Sequence, residues 1–131
     1  MKSQSPSHNQ QRYSTVNWLE SQALPGVRYG IRRISLAQRI ELTSRARELT
    51  RRYEFLRAGD AGDQLEASLA DLLTRRLYLE WGLAEIRDLM IDGQAATVEI
   101  VVEKGPESLS NEIVAAIQAE LSLSEEERKN S

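Results

Sequence analysis

The chain of 131 residues contains no cysteine, one histidine, one phenylalanine and three prolines, and only 5% of its residues are aromatic. Without cysteine there are no disulfides, no thiolate nucleophile and none of the usual structural zinc sites, a pattern that fits a reducing compartment. The lone histidine, His8, lies among Ser, Gln and Asn residues, where no rigid neighbour would orient it as a base or a metal ligand. No apolar run approaches the roughly 20 residues that a membrane-spanning helix needs. The opening stretch, Met1-Lys2-Ser3-Gln4-Ser5-Pro6-Ser7-His8-Asn9-Gln10-Gln11, has no hydrophobic segment to act as a signal peptide, so the expected location is the cytoplasm, with no membrane partner. No glycine-rich loop opens a helix, and there is no His-Glu-x-x-His. Carboxylates are plentiful, but Glu125-Glu126-Glu127 and the pair Asp60 and Asp63 are sequence neighbours rather than opposed groups. The Asp60 segment also lacks the later ligands of a calcium loop. No catalytic residue, metal site or cofactor is expected, and the chain reads as a non-enzyme.

What is present points to one small domain. A chain of this length buries a modest core, and 40% hydrophobic against 28% charged residues implies a small interior under an extensive surface. The net charge of -3 conceals a division: eleven basic and five acidic residues through Asp60 give a balance of +6, which leaves -9 for the remainder. Such asymmetry can mark a nucleic-acid or membrane contact on the basic side, or two halves that attract each other within one molecule or between copies.

Residues 1–14 have almost no apolar side chains and are expected to form a flexible tail. Two extended segments, 16–19 and 27–34, flank Pro25-Gly26 and read as a β-hairpin; Val27, Tyr29 and Ile31 alternate with Arg28, Gly30 and Arg32. Ser35 begins a helix with Gln38 in capping-box position, and Leu42, Ala46, Leu49, Tyr53 and Leu56 form its apolar stripe. A loop over 59–63, with Asp63 as cap, leads to a second helix over 64–81 whose wide apolar face holds Leu65, Leu69, Leu72, Leu73, Leu77 and Leu79. Arg76 interrupts that face; it either reaches the rim or pairs with a Glu of the first helix, or it contacts a partner. After Gly82, Ile86, Leu89 and Ile91 suggest an extended stretch that ends in an Asp92-Gly93 turn. Over 97–103 the alternation of Val98, Ile100 and Val102 suggests a strand, while Thr97 would cap a short helix ending at Gly105-Pro106. A last helix over 106–121 carries Leu109, Ile113, Val114, Ile117 and Leu121 inward, with Glu107 in its first turn. Residues 123–131 are expected to be a charged, flexible end. The fold class is mainly α: an N-terminal β-hairpin, a helical hairpin and a C-terminal helix in a single domain over 15–122.

The arginines of the hairpin and first helix (Arg28, Arg32, Arg33, Arg39, Arg45, Arg47, Arg51, Arg52 and Arg57) could neutralise phosphates. Glu41 with Arg45, and Glu48 with Arg51 or Arg52, have the spacing of surface ion pairs, however, so a solvated helix face accounts for most of this charge.

The sequence Leu77-Tyr78-Leu79-Glu80-Trp81-Gly82-Leu83, followed by Asp92-Gly93, Gly105-Pro106 and the ending Leu123-Ser124-Glu125-Glu126-Glu127-Arg128-Lys129-Asn130, resembles the tail assembly chaperones of long-tailed phages and prophages. The resemblance spans residues 34–130 and is most specific from Leu77 onward. It implies a small helical protein of the bacterial host cytoplasm that binds the tape measure protein, assists addition of the tail tube protein and is absent from the finished virion. It also implies a short helix at 97–103, although Ile100-Val101-Val102 replaces the family's usual Leu-Ile core there, and helix is the expectation. The candidate partner-binding residues are Arg45, Arg52 and Arg76 with the apolar segment Trp81, Leu83, Ile86 and Leu89. The other reading of Trp81 is a core anchor between helices. Alternative functions are a structural tail or connector protein of the virion and a basic-helix nucleic-acid-binding protein; self-association is left open.

Overall fold

A computed structural model describes the backbone over residues 10–57 and 61–130, and the side chains of those spans other than 55–57, 61, 63 and 123–130. Most of the expected tail therefore lies outside the described residues, and 10–14 form no regular element.

The alternation around Tyr29 produces the expected hairpin. Strand β1 (Val16–Glu20) pairs antiparallel with β2 (Arg28–Arg32), Trp18 lying opposite Gly30. Val27, Tyr29 and Ile31 are buried on the inner face. The extended stretch after Gly82 becomes β3 (Leu83–Arg87), antiparallel to β2 on its other side, so the sheet order is β1-β2-β3 with β1 at an edge. Asp92-Gly93 closes a two-residue hairpin between β4 (Met90–Ile91) and β5 (Gln94–Ala95). Both turn residues have positive φ, 52° and 77°, the mirror-image turn geometry for which Asp-Gly is suited.

The Ser35 capping box forms as read. The Ser35 hydroxyl accepts from the Gln38 N–H at 3.2 Å, and Gln38 Oε1 accepts from the Ser35 N–H at 3.1 Å. Helix α1 (Leu36–Arg57) then packs against α2 (Ala61–Gly82) as a helical hairpin. Leu42 is buried in the contact, and Ala46, Leu49 and Tyr53 are half-buried; the Leu56 side chain lies outside those described. Two expectations fail in α2. Asp63 is inside the helix rather than its cap, because the helix begins at Ala61. The wide leucine face is buried only at its end: Leu77 and Leu79 are buried, as are Ala67 and Ala70 at 2% exposure each, while Leu65, Leu69, Leu72 and Leu73 are exposed.

Thr97 settles the ambiguous segment as helix α3 (Val98–Lys104). Its hydroxyl accepts from the Ile100 N–H at 3.2 Å, and Val101 is fully buried. A local cap and the Gly105 stop prevail over an alternation that is only three residues deep. Helix α4 (Glu107–Asn130) is longer than the 106–121 expected; its backbone runs helically past Ser122 and Ser124. The core joins Tyr29, Ile31, Leu79 and Leu83 to Val101, Leu109, Ile113, Val114 and Ile117. Among the described residues, the buried α2 positions that meet this core are Leu79 and Gly82, in the helix's last turn, so the far half of the helical hairpin stands away from it.

Glu112 of α4 ties the hairpin loop to the helices. Its carboxylate accepts from the Ser21 hydroxyl (3.0 Å), the N–H groups of Gln22 (3.1 Å) and Ala23 (3.0 Å), and the Tyr29 hydroxyl (3.0 Å). Partial burial opposes its ionisation, but these four hydrogen bonds outweigh burial and hold its carboxyl below the ordinary value. Burial, then the hydrogen bond and charge of Glu112, push the Tyr29 hydroxyl up to about 12.

Candidate interaction surface

The two faces of α2 differ by a two-residue offset. Ala67, Ala70, Thr74 and Leu77 repeat at steps of three, four and three and lie along α1; Leu65, Leu69 and Leu72 repeat at four and three, displaced by about 200° around the helix. Small side chains let α1 approach closely, and the Thr74 hydroxyl is turned back to the Ala70 carbonyl at 2.8 Å. The leucines consequently point away from α1. Leu65, Leu69, Leu72 and Leu73 are between 40% and 73% exposed. Single exposed leucines need no explanation, but four contiguous ones on one helix form the kind of patch that marks a contact with another protein.

The patch has a defined end. Beyond Leu72 it opens on a pocket of about 160 Å³ lined by residues of α2, α3 and α4, including Leu72, Leu79, Val102 and Val114, with Arg75 and Arg76 at its polar border. Arg75 donates to Asn111 Oδ1 at 2.9 Å and lies 3.5 Å from Asp71. Arg76 spans Glu80 (3.1 Å) and Glu103 (2.5 Å). It is exposed and paired, but with its own helix and with α3 rather than with α1, which corrects the pairing expected from sequence. The Glu80 hydrogen bond, followed by the Glu103 charge, raises its already high pKa, so it stays cationic.

The other sequence-derived candidates do not form one site with it. Arg45 joins Trp81: its guanidinium lies 5.6 Å from the indole centroid while also holding Glu41 at 2.7 Å, and Trp81 is half-buried. Arg52 bridges to Glu66 of α2 at 3.5 Å, in place of the Glu48 pairing its spacing suggested, and Glu48 instead lies 4.0 Å from Arg51. Leu83, at 1% exposure, belongs to the core and is withdrawn as a contact residue; Ile86 and Leu89 are half-buried against the same core. Hydrophobic periodicity alone turns all the leucines of α2 inward as a set, which hides the surface ones. Their signal was available: Ala67, Ala70 and Thr74 form a second stripe of helical spacing, and the two stripes together exceed what one partner helix covers.

Among the described residues, no group of three or more acidic or histidine side chains is placed to hold a metal ion, and no helix is long and apolar enough to cross a membrane. Comparison with protein-family models, with curated proteins and with solved structures found no match.

Proposed function

We propose that this protein is a non-catalytic assembly chaperone of the phage-tail type, which holds a helical stretch of the tape measure protein against the leucine face of α2 in the bacterial cytoplasm and yields it as tail tube subunits arrive. The observation that carries the reading is the contiguous exposure of Leu65, Leu69, Leu72 and Leu73 on the half of α2 that stands away from the core. A face of this spacing suits an amphipathic client helix, whose own apolar stripe completes the contact. Arg75 and Arg76, with their carboxylate partners, border one end of the patch and give a polar limit to the client's register. A holdase needs contacts that are numerous, weak and reversible, and a shallow leucine strip meets that requirement better than a deep pocket.

The arginines that suggested nucleic acid lend that alternative less support, since Arg45, Arg51 and Arg52 have carboxylate partners and Arg39 donates to the Leu121 carbonyl at 3.4 Å. Coexpression with the tape measure protein encoded downstream, followed by affinity capture, tests the proposal. A soluble complex with several copies of this chain per tape measure molecule is expected. No association, with the chain recovered instead from purified particles, would move it to the virion-component class.

A further inference from the structure

The outer face of the three-stranded sheet carries a second surface, unrelated to the leucine strip. Trp18 lies across β2 because position 30 has no side chain: a Cβ on Gly30 would sit 3.3 Å from the indole Cε2 and only 2.6 Å from Val16 Cγ1. The indole is thereby carried to β3, where the Arg87 guanidinium lies 4.3 Å from its centroid, with that of Arg28 at 5.4 Å. Arg32, opposite Val16 in the ladder, is exposed and has no carboxylate partner among the described residues, and neither has Arg28. Glu20 and Glu85 are the acidic groups of this face, and Glu85 is 3.5 Å from Arg87.

Among the described residues, no strand covers the edge beside this face. The bonds from Arg33 N–H to Thr15 C=O and from Ser21 N–H to Val27 C=O set the ladder's phase, so the backbone groups of Val16, Trp18 and Glu20 point away from β2. The Ser14 hydroxyl occupies those of Val16, donating to its carbonyl at 2.9 Å and accepting from its N–H at 3.3 Å. Those of Trp18 and Glu20 have no strand partner among the described residues.

We propose that an extended acidic segment of a partner protein adds to β1 as a fourth strand, bonding to the backbone of Trp18 and Glu20 and placing a carboxylate across Val16 onto Arg32, within reach of Arg28. Strand addition supplies affinity through the backbone, and the unpaired guanidiniums supply the preference for carboxylates, which match their planar donor geometry. A single-stranded nucleic acid fits less well. The indole has β2 beneath it and Arg87 against it, which leaves no free face for a base, and Glu20 and Glu85 interrupt any phosphate track.

The test is fluorescence anisotropy with the full chain and a labelled octapeptide that alternates Glu with Val, alongside the same peptide with Gln for Glu and a labelled oligothymidylate. Binding of the Glu peptide is expected, weakened about tenfold or more by the Gln peptide, by Arg28→Ser/Arg32→Ser and by raised salt. The double variant replaces exposed side chains, and circular dichroism verifies its fold. A Leu69→Lys/Leu72→Lys variant should bind the peptide as the parent does, which separates this surface from the client face. No binding, equal binding of the Gln peptide, or tighter binding of the oligothymidylate would each overturn the proposal.

Discussion

At the residue scale, Glu112 is a carboxylate that no sequence motif singles out and that ties the hairpin loop to α4. It stabilises the fold because four donors from the hairpin loop and β2 converge on it. Replacing it by Ala leaves the buried Ser21 hydroxyl short of an acceptor, while the exposed N–H groups of Gln22 and Ala23 turn to water, and should cost about 1–3 kcal/mol, measured by urea unfolding at neutral pH. Its folded pKa is depressed, so its contribution is fully present above the ordinary carboxylate value and is lost as pH falls through the lower folded value. Glu112→Gln should therefore flatten the acid limb of the stability profile. Tyr29 acts at the other end. The unfolded chain releases that proton near 10 and the folded one near 12, so stability declines as pH rises across that interval. Tyr29→Phe should remove this alkaline loss, in denaturant titrations between pH 9 and about 12. The sequence marks Tyr29 as a strand residue but not its contact with Glu112, because the partners of Glu112 lie 83 to 91 positions away and nothing local marks the contact.

At the element scale, features set by near neighbours were readable and those set by distant packing were not. The Ser35/Gln38 box, the Asp92-Gly93 turn and the Thr97 cap each involve groups within three residues, and each forms as its residues suggest. The orientation of α2 depends instead on how closely α1 approaches. Alanines decide that approach, and hydrophobic periodicity weighs them too lightly against six leucines. Two substitutions distinguish the faces. Ala70→Leu forces extra volume into the α1–α2 contact and should cost about 1–3 kcal/mol. Leu69→Lys lies on the exposed face and should change stability by no more than about 0.5 kcal/mol, or raise solubility. A reversed order in thermal or urea unfolding would place the leucines back in the core. The length of α4 was also underestimated, since Ser122 and Ser124 favour caps without enforcing them.

At the scale of the whole molecule, the division between a basic first half and an acidic second half is only slightly resolved by internal pairing. Among the described residues, Arg52 with Glu66 is the one ion pair that joins the two halves; the others stay within a half. The molecule thus presents an arginine-bearing sheet face at one place and a leucine strip on a projecting helical hairpin at another. Fold class could be read from the sequence because a hairpin, capped helices and their punctuation are local. The candidate surface is only half legible there: the Ala67, Ala70 and Thr74 stripe marks a second face of α2, but which of the two faces is exposed is a property of the assembled fold. The most direct measurement is coexpression of the tape measure protein with either the parent chain or Leu69→Lys/Leu72→Lys, followed by size-exclusion chromatography with light scattering. The parent should keep the client soluble in a complex of several copies, and the folded double variant should leave it aggregated. Equal complex formation by both would contradict the proposal that the α2 leucine face is the client-binding surface.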